Sequence, residues 1–255
     1  MKLGIVSRVQ EGLFGYQAWP SVCRTADGVL YTVCSGHRLG HICPFGKNIM
    51  YISHDGGETW SSPVVVNDNA LDDRDAGVVP LGDGKLLLSW FSLPREYYWA
   101  QEEAFVRNAG SCGPLVRAML EVWHTLPPEQ LLVGSFVRLS RDEGQTWEAP
   151  VQVPVTAPHG PARLQNGRLL YFGKYDAGEY KNECGVMSYV SDDDGKTWIW
   201  LSELSLPEGI APDDCHEPHA VQLPDGSLLG AIRVHGPNVT DGFSILLCGA
   251  GGGGA

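Results

Sequence analysis

The chain has 255 residues, of which 43% are hydrophobic and 19% are charged, and its formal net charge is −12. No apolar run approaches the ~18 residues of a membrane-spanning helix, so no membrane partner is predicted. The acidic balance argues against broad binding of nucleic acids, which requires a basic surface. A small anionic substrate is still compatible with it, because a few arginines can create a local positive pocket in an acidic protein.

The N-terminal stretch and the cysteines predict a cytoplasmic protein. Residues 1–12, MKLGIVSRVQEG, lack the apolar run of a signal peptide. The 7 cysteines are odd in number and show no paired spacing, which is typical of reduced thiols.

Four similar segments along the chain each predict a β-hairpin. In each of them an apolar run is followed by Asp-Gly or Asn-Gly and then by a second apolar run. The four turn pairs are Asp27-Gly28, Asp83-Gly84, Asn166-Gly167 and Asp225-Gly226. Such a pair is a strong hairpin signal, because both residues tolerate the positive φ of a type I′ turn.

An eight-residue phrase follows three of these hairpins, after a third strand-like run. It reads SHDGGETW from Ser53, SRDEGQTW from Ser140 and SDDDGKTW from Ser191. The shared Asp can accept hydrogen bonds from its own turn, the Gly permits a left-handed backbone, and the Trp covers the core. Hairpin, third strand, box and fourth strand form a unit that is typical of a propeller blade. We therefore interpret the box as structural, since a catalytic box would require three equivalent active sites.

The second unit is longer than the others between its hairpin and its box. The surplus falls between Pro94 and Pro128, where the stretch VRAMLEVW has helical rather than alternating periodicity. We predict an insertion of one or two helices, Pro94 to Pro128, in the second blade. Its aromatic start could form a lid or a dimer contact; a packed surface decoration is the alternative.

The three boxes are Asp-boxes, and the chain resembles the sialidase (neuraminidase) superfamily over roughly residues 17 to 248. The resemblance implies an all-β fold, the six-bladed β-propeller of the sialidase type, with about four blades present in this chain. The propeller domain would cover residues 1–248, and the Gly-rich tail from Gly249 to Ala255 would lie outside the fold. It also implies a nucleophilic tyrosine and a further substrate-binding arginine beyond residue 255, so the chain is expected to be a truncated member.

The fourth unit, CHEPHAVQLPDGSLLGAIR, matches the sialidase pattern best. Glu217 opens the strand before the turn, and Arg233 closes the strand after it. The resemblance implies that Glu217 is a catalytic carboxylate acting as base toward the tyrosine, and that Arg233 is one of three arginines that hold the substrate carboxylate. A guanidinium can bind a sugar carboxylate bidentately, and an oxocarbenium-like transition state needs nearby negative charge. An ordinary ion pair between strand ends is the alternative.

The first unit departs from the sialidase pattern. Sialidases carry an arginine at the start of its inner strand, and this chain has Ala18 there. The loop after the first hairpin, SGHRLGHICPFGKN, has no Asp or Glu to serve as the acid/base residue of the family. His37 or His41 could deliver the proton and Arg38 could supply positive charge for the substrate; a solvated loop is the alternative.

The segment LDDRDAG at the start of the second unit contains an arginine and carboxylates that can take the place of those missing from the first unit. When the units are aligned on their turns, Arg74 takes the place of the missing arginine one blade over, and Asp75 takes the place of Glu217. We therefore predict that Arg74 binds substrate and that Asp75 is catalytic. The acidity of a surface turn, which would include Asp72 and Asp73, is the alternative.

Two histidines at strand starts complete the predicted site. His159 in APHGP and His219 in EPH are placed to contact hydroxyl groups or a carboxylate. Cys215, His216 and His219 match no standard metal-site spacing and lack further ligands, so neither a metal nor another cofactor is predicted.

Together these features predict a sialidase-like glycoside hydrolase that acts on a terminal acidic sugar such as sialic acid, with a small molecule or glycan as its partner. Two alternatives stay open. One is a non-catalytic carbohydrate-binding or interaction propeller, and the other is a hydrolase of a different sugar on the same scaffold. Exposed blade faces or the helical insertion also suggest a homo-oligomer.

Overall fold

The computed structural model describes residues 3–9, 13–174, 185–239 and 242–251. The strands are β1 (Tyr16–Arg24), β2 (Leu30–Arg38), β3 (Lys47–Ser53), β4 (Val64–Asn67), β5 (Arg74–Gly82), β6 (Lys85–Ser92), β7 (Gly134–Ser140), β8 (Val151–Val153), β9 (Ala162–Arg163), β10 (Leu169–Lys174), β11 (Val186–Ser191), β12 (Ile199–Glu203), β13 (Cys215–Gln222), β14 (Leu228–Val234) and β15 (Ser244–Ala250). The helices are α1 (Arg95–Trp99), α2 (Glu102–Asn108) and α3 (Gly113–Thr125), with 3-10 turns at Gly110–Cys112, Pro128–Gln130 and Pro212–Asp214. Within the described ranges, no helix is long and apolar enough to cross a membrane.

The strands form four sheets within the described residues, and neighbouring strands in each sheet follow one another along the chain. The sheets are β1–β2–β3–β4, β5–β6–β7–β8, β9–β10–β11–β12 and β13–β14–β15. The prediction of an all-β fold built from four repeated units is therefore confirmed.

The chain divides into two compact units. The first comprises Met1–Val78 and Trp90–Gly134, and the second comprises Val79–Ser89 and Ser135–Ala255. Each unit has its own buried apolar cluster. In the first unit, Leu71 packs with residues of the helical segment, and in the second Leu87 packs with Tyr171 and Met187. Burial of such side chains is the main favourable contribution to folding.

The four predicted turns have two different geometries. Asp83 and Gly84 both have positive φ, 52° and 73°, as a type I′ turn requires. In the other three hairpins only the glycine is left-handed, with φ of 96° at Gly28, 90° at Gly167 and 86° at Gly226. Each of these glycine N–H groups donates to the carbonyl oxygen three residues earlier, at 3.0, 2.9 and 2.9 Å. The type I′ prediction is wrong for these three turns, because a longer loop allows a type I turn followed by a left-handed glycine.

The three Asp-boxes lie between the third and fourth strands of the first three sheets, and each one is closed by its own hydrogen bonds. Ser140 Oγ donates to Asp142 Oδ1 at 2.8 Å, and Gly144 N donates to Ser140 Oγ at 2.8 Å. Thr146 donates to Asp142 from its backbone N–H at 2.8 Å and from its hydroxyl at 2.5 Å. The boxes around Asp55 and Asp193 repeat these bonds. The carboxylates serve the turn, in agreement with the structural interpretation.

Three helices occupy the segment between β6 and β7, where one or two were predicted. Val116, Leu120 and Trp123 are buried on one face of α3, at the spacing of an amphipathic helix. Trp123 Nε1 donates to the carbonyl oxygen of Ala70 at 2.7 Å. The helices therefore pack into the first unit, beside the segment that leads into β5.

The last strand extends beyond the boundary predicted from the sequence. Gly249 and Ala250 belong to β15 and pair with Leu229 and Leu228 of β14. The strand therefore runs two residues past Cys248, because backbone hydrogen bonds do not depend on the side chains of these small residues. Residues 252–255 of the predicted tail lie outside the described residues.

Candidate functional site

Three strand starts share an unusual backbone conformation. Trp19 in β1, Asp75 in β5 and Glu217 in β13 have φ values of 54°, 47° and 51°, in the left-handed region that non-glycine residues rarely adopt. The β1–β2 and β13–β14 ladders shift register at this point, as in a β-bulge, which re-aims neighbouring side chains. These three residues also occupy one column when the units are aligned on their turns. Because strained positions cluster at functional sites, the strand starts of β1 and β5 in the first unit and of β13 in the second unit are two separate candidate sites.

Arg38, at the end of β2, is fully buried. Its Nη1 donates to Asp72 Oδ1 at 2.5 Å, and its Nη2 donates to Asp72 Oδ2 at 2.9 Å. It also donates to Ser35 Oγ at 2.8 Å and to the carbonyl oxygens of Gly40 and His41 at 3.3 and 3.0 Å. Burial alone would lower the pKa of Arg38, but the Asp72 carboxylate outweighs it and raises the pKa. All five N–H groups are used inside the protein, so Arg38 supports the site and has no donor left for a substrate.

Asp72 is also fully buried, and the helical segment contributes to holding it. The Tyr98 hydroxyl of α1 donates to Asp72 Oδ2 at 2.8 Å. Burial and the Asp72 charge raise the pKa of Tyr98 well above its ordinary value, so the hydroxyl keeps its proton and remains a donor. Arg74 Nη1 lies 3.8 Å from the same carboxylate oxygen. The inserted helices therefore help to build the strand starts of the first unit.

The other carboxylates of LDDRDAG are buried as well. Asp73 accepts hydrogen bonds from the Asn69 backbone N–H at 2.9 Å and from the Asn69 amide at 2.7 Å. Burial outweighs these bonds and raises the pKa of Asp73 to about 7. Asp75 is only 6% exposed. The alternative of a solvated acidic surface turn therefore does not hold.

Arg74 has a different environment from Arg38. Its Cζ lies 4.8 Å from the ring centroid of Trp19 and 5.7 Å from that of Phe91, within cation–π range. Its Nη1 lies 3.5 Å from the carbonyl oxygen of His41. Its Nε is buried and has no hydrogen-bond partner among the described residues. Arg74 therefore keeps hydrogen-bonding capacity that Arg38 has used up.

The two histidines of the loop after the first hairpin lie in different surroundings. The exposed His37 ring stacks on Phe14 with centroids 4.1 Å apart. Loss of water contact, reinforced by the charge of Lys47, lowers the pKa of His37. His41 instead lies edge-on to Trp19, with centroids 5.0 Å apart. The structure therefore brings His41, rather than His37, next to Trp19.

In the second unit, the Glu217–Arg233 ion pair is formed. Arg233 Nη1 donates to Glu217 Oε1 at 2.8 Å. The side chains of Arg233 and Glu217 are 36% and 40% exposed, so the pair lies at a solvent-accessible strand start. Arg233 pairs with His216 in the β13–β14 ladder, and its Nε has no hydrogen-bond partner within the described ranges. This ion pair can therefore accept further contacts from a ligand.

His159 and His219 belong to the surroundings of Glu217. Partial burial lowers the pKa of His159, and the charge of Glu217 opposes this effect. Partial burial also lowers the pKa of His219, and His159 adds to the effect. Both rings are therefore neutral at pH values near 7, and each neutral ring offers one donor and one acceptor.

The predicted absence of a metal site concerned the segment around His216. The His216 ring stacks on His235 with centroids 3.9 Å apart. Burial, together with the charge of His235, lowers the pKa of His216 to about 4. In the part of the chain that the structure describes, no group of three or more His, Cys, Asp or Glu is arranged to hold a metal ion.

Two residues of the first unit's candidate site, Trp19 and Tyr98, were not predicted from the sequence. Trp19 falls in the same alignment column as Asp75 and Glu217, and this column is the signal that could have identified it. Tyr98 lies in the helical segment, where only the aromatic composition of PREYYW distinguishes it. Its hydrogen bond to Asp72 becomes visible only when the helices are packed.

Comparison with known proteins agrees with the repeat pattern. The model of the BNR/Asp-box repeat matches residues 51–62, which include the whole of the first box. No curated protein matches the chain significantly in sequence.

Solved structures resemble the chain over most of its length. A protein of unknown function from Dyadobacter fermentans is 18% identical and covers 91% of this chain and 65% of its own, with a TM-score of 0.63. The NanB sialidase from Streptococcus pneumoniae is 12% identical and covers 98% of this chain and 52% of its own, with a TM-score of 0.60. An alpha-L-arabinanase from Penicillium chrysogenum is 17% identical and covers 91% of this chain and 62% of its own, with a TM-score of 0.52.

The chain thus spans less than two thirds of the length of these proteins. Identities this low establish the fold alone, because one propeller scaffold carries many different activities. The chain thus carries a BNR/Asp-box repeat and has a propeller-like fold similar to that of solved sialidases and related glycosidases.

Proposed function

We propose that the chain is part of a sialidase-like glycoside hydrolase that acts on a terminal acidic sugar such as sialic acid. The observation that carries this proposal is the Glu217–Arg233 pair, with Arg233 Nη1 at 2.8 Å from Glu217 Oε1 at a bulged, solvent-accessible strand start. We also propose that the whole protein is a six-bladed propeller, to which this chain contributes about four blades and an inserted helical segment. A tyrosine nucleophile and further arginines would come from the remaining blades.

The chemistry assigns different tasks to the members of this pair. Glu217 accepts the proton of the nucleophile, and its negative charge stabilises the oxocarbenium-like transition state. Arg233 donates a hydrogen bond to Glu217 and uses its remaining N–H groups for the substrate carboxylate. The neutral rings of His159 and His219 donate to or accept from substrate hydroxyl groups. We also keep Asp75 of the first unit as a catalytic candidate, because it is a buried carboxylate in the left-handed conformation that Glu217 also has.

Hydrolysis of a fluorogenic sialoside by the complete natural protein tests the proposal. Glu217→Gln keeps the size of the side chain and removes its charge, so we expect kcat to fall by about 100-fold or more, in the range of general acid–base contributions. Glu203→Gln is the matched control, because Glu203 is an exposed glutamate of β12 in the same unit. Hydrolysis that survives in Glu217→Gln to the level of the control would overturn the assignment.

A specific observation also favours the second candidate, a non-catalytic carbohydrate-binding propeller or a hydrolase of another sugar. Ala18 stands where the sialidase pattern has an arginine, and all five N–H groups of Arg38 are occupied within the protein. The likeness to an arabinanase agrees with a different sugar. Arabinosides and glucuronides tested beside the sialoside separate the candidates, and glycan binding without any hydrolysis would establish the non-catalytic one.

Two further proposals concern the setting of the protein. The 6 cysteines in the described ranges are unpaired, and a cytoplasmic location would keep them reduced. Val221, Leu229 and Leu247 of the last sheet are 44%, 39% and 63% exposed, which supports their coverage by another sheet or by a second copy of the chain. Thiol titration of protein isolated without reductant, and light scattering of the complete protein, test these two points.

A further inference from the structure

The first unit contains a cavity between the loop that follows β2 and the inserted helices. Its volume is about 290 Å³, with loop residues 39–44 on one side and α2 and the start of α3 on the other. Six apolar side chains line it: Leu39, Ile42, Pro44, Phe105, Ala109 and Val116. Among the described residues, no Lys, Arg, Asp or Glu lines this cavity. Such walls suit an apolar group and not a sugar ring, because buried hydroxyl groups need polar partners.

Both walls of the cavity are held in place by other parts of the first unit. Arg38 Nε donates to the carbonyl oxygen of Gly40 at 3.3 Å, and Arg38 Nη2 donates to that of His41 at 3.0 Å, so the buried guanidinium fixes the loop. On the other wall, the Phe105 ring packs on buried Tyr98 with centroids 5.7 Å apart. The cavity is therefore preformed, which reduces the conformational entropy lost when a ligand enters it.

The cavity adjoins the strand starts of the first unit through His41, which also lines it. The His41 ring lies edge-on to Trp19, with centroids 5.0 Å apart, and its carbonyl oxygen lies 3.5 Å from Arg74 Nη1. A ligand at these strand starts can therefore extend past His41 into the cavity.

We propose that this cavity binds an apolar aglycone, the group that hydrolysis releases from the sugar. The inference rests on the proposed function and names the part of the substrate that the helical insertion recognises. The charged, hydroxylated sugar stays at the strand starts, and an alkyl chain of the aglycone enters between the loop and α2. The connection between β2 and β3, at the same place in the first sheet, contains no helix. The insertion thus supplies a wall that the repeated strand pattern would not provide.

The test compares the hydrolysis of methyl, propyl and pentyl α-sialosides by the complete natural protein. Each CH2 group that enters the cavity should raise kcat/KM by about fourfold, the fold-change that corresponds to about 0.8 kcal/mol. Ala109→Phe places a ring in the cavity. We therefore expect kcat/KM for the pentyl sialoside to fall to about that for the methyl sialoside in this variant.

Ala118→Phe is the matched control, because Ala118 is an exposed residue of α3 that does not line the cavity. We expect this control to keep the chain-length dependence of the natural protein. Ala109→Leu fills less of the cavity and should weaken the dependence without abolishing it. This milder variant keeps the inference testable if Ala109→Phe fails to fold, which thermal unfolding would reveal.

The outcomes separate this inference from the proposed function. If the three sialosides are hydrolysed equally well, or if the Ala109 variants keep the natural chain-length dependence, the aglycone pocket is wrong and the proposed function stands. If the natural protein hydrolyses none of the sialosides, the proposed function is wrong and the aglycone pocket falls with it.

Discussion

The starts of β5 and β13 each contain a carboxylate residue with a left-handed backbone, Asp75 and Glu217. The charged side chains at these two strand starts differ in their exposure to solvent. At the start of β5, Asp72 and Asp73 are fully buried and held by hydrogen bonds within the first unit. At the start of β13, Glu217 and Arg233 share one hydrogen bond and remain more than a third exposed. The difference separates residues that build a strand start from residues that can act on a ligand there. Substitutions at the two strand starts test that separation.

Asp72→Asn should be the most destabilising of these substitutions. It removes the carboxylate charge and leaves the Arg38 guanidinium buried without its ionic partner. Breaking a buried ion pair from one side costs about 3–5 kcal/mol, so we expect the free energy of unfolding in urea to fall by this amount.

The control for this prediction is Asp192→Asn. Asp192 accepts a hydrogen bond from Arg168 Nε at 2.6 Å, but its side chain is 56% exposed. Exposed pairs of this kind contribute about 0–1 kcal/mol. Equal losses of stability in the two variants would show that burial does not distinguish the Arg38–Asp72 pair.

Asp73 should make stability fall as the pH rises from about 4 to about 7. Its pKa is raised to about 7 in the folded state, compared with about 3.9 in an unfolded chain. Between these values the folded state holds a proton that the unfolded state has lost, so the stabilising effect of that proton disappears from about pH 4 to about pH 7. Asp73→Asn has no such proton. The stability of the variant relative to the natural protein should therefore increase over this interval, as measured by urea unfolding at a series of pH values.

Asp142→Asn in the second unit tests the opposite pH dependence, because the pKa of Asp142 is lowered and that of Asp73 is raised. Hydrogen bonds from the hydroxyl and backbone of Thr146 lower the pKa of Asp142. Its contribution is present above the unfolded pKa of about 3.9 and is lost only as the pH falls below it. The difference between this variant and the natural protein should therefore be flat from about pH 5 to about pH 8. A flat profile for Asp73→Asn as well would mean that Asp73 is ionised in the folded protein at these pH values.

The repeated features were predictable from the sequence because each is governed by local geometry. Asp142 and Thr146 of the Asp-box interact over four residues, so their spacing carries the information. Glu217 and Arg233 are also paired by a single hairpin, whose turn fixes the register of β13 and β14. In both cases the contact follows from short separations along the chain.

The buried cluster of the first unit was not predictable in the same way. Asp72 and Asp73 looked like part of a solvated turn, because a run of charges normally lies at the surface. Asp72 is held by Arg38, which lies 34 residues away, and by the Tyr98 hydroxyl of an inserted helix. No periodic pattern in the sequence indicates contacts between residues this far apart along the chain. The helix that supplies Tyr98 could be predicted, whereas the carboxylate that it contacts could not.

The smallest effect is expected for the Glu217–Arg233 pair, and a double-mutant cycle measures it directly. Glu217→Gln, Arg233→Met and the double variant together give the coupling energy of the pair, free of what each side chain contributes elsewhere. Because both side chains are more than a third exposed, water screens their attraction, and we expect a coupling of at most about 1 kcal/mol in the free energy of unfolding. A coupling near the loss expected for Asp72→Asn would place this pair among the structural ones and remove the distinction between the two strand starts. A small coupling together with a large loss of hydrolysis in Glu217→Gln would instead show that the charges of this pair are retained for a ligand, since they contribute little to folding.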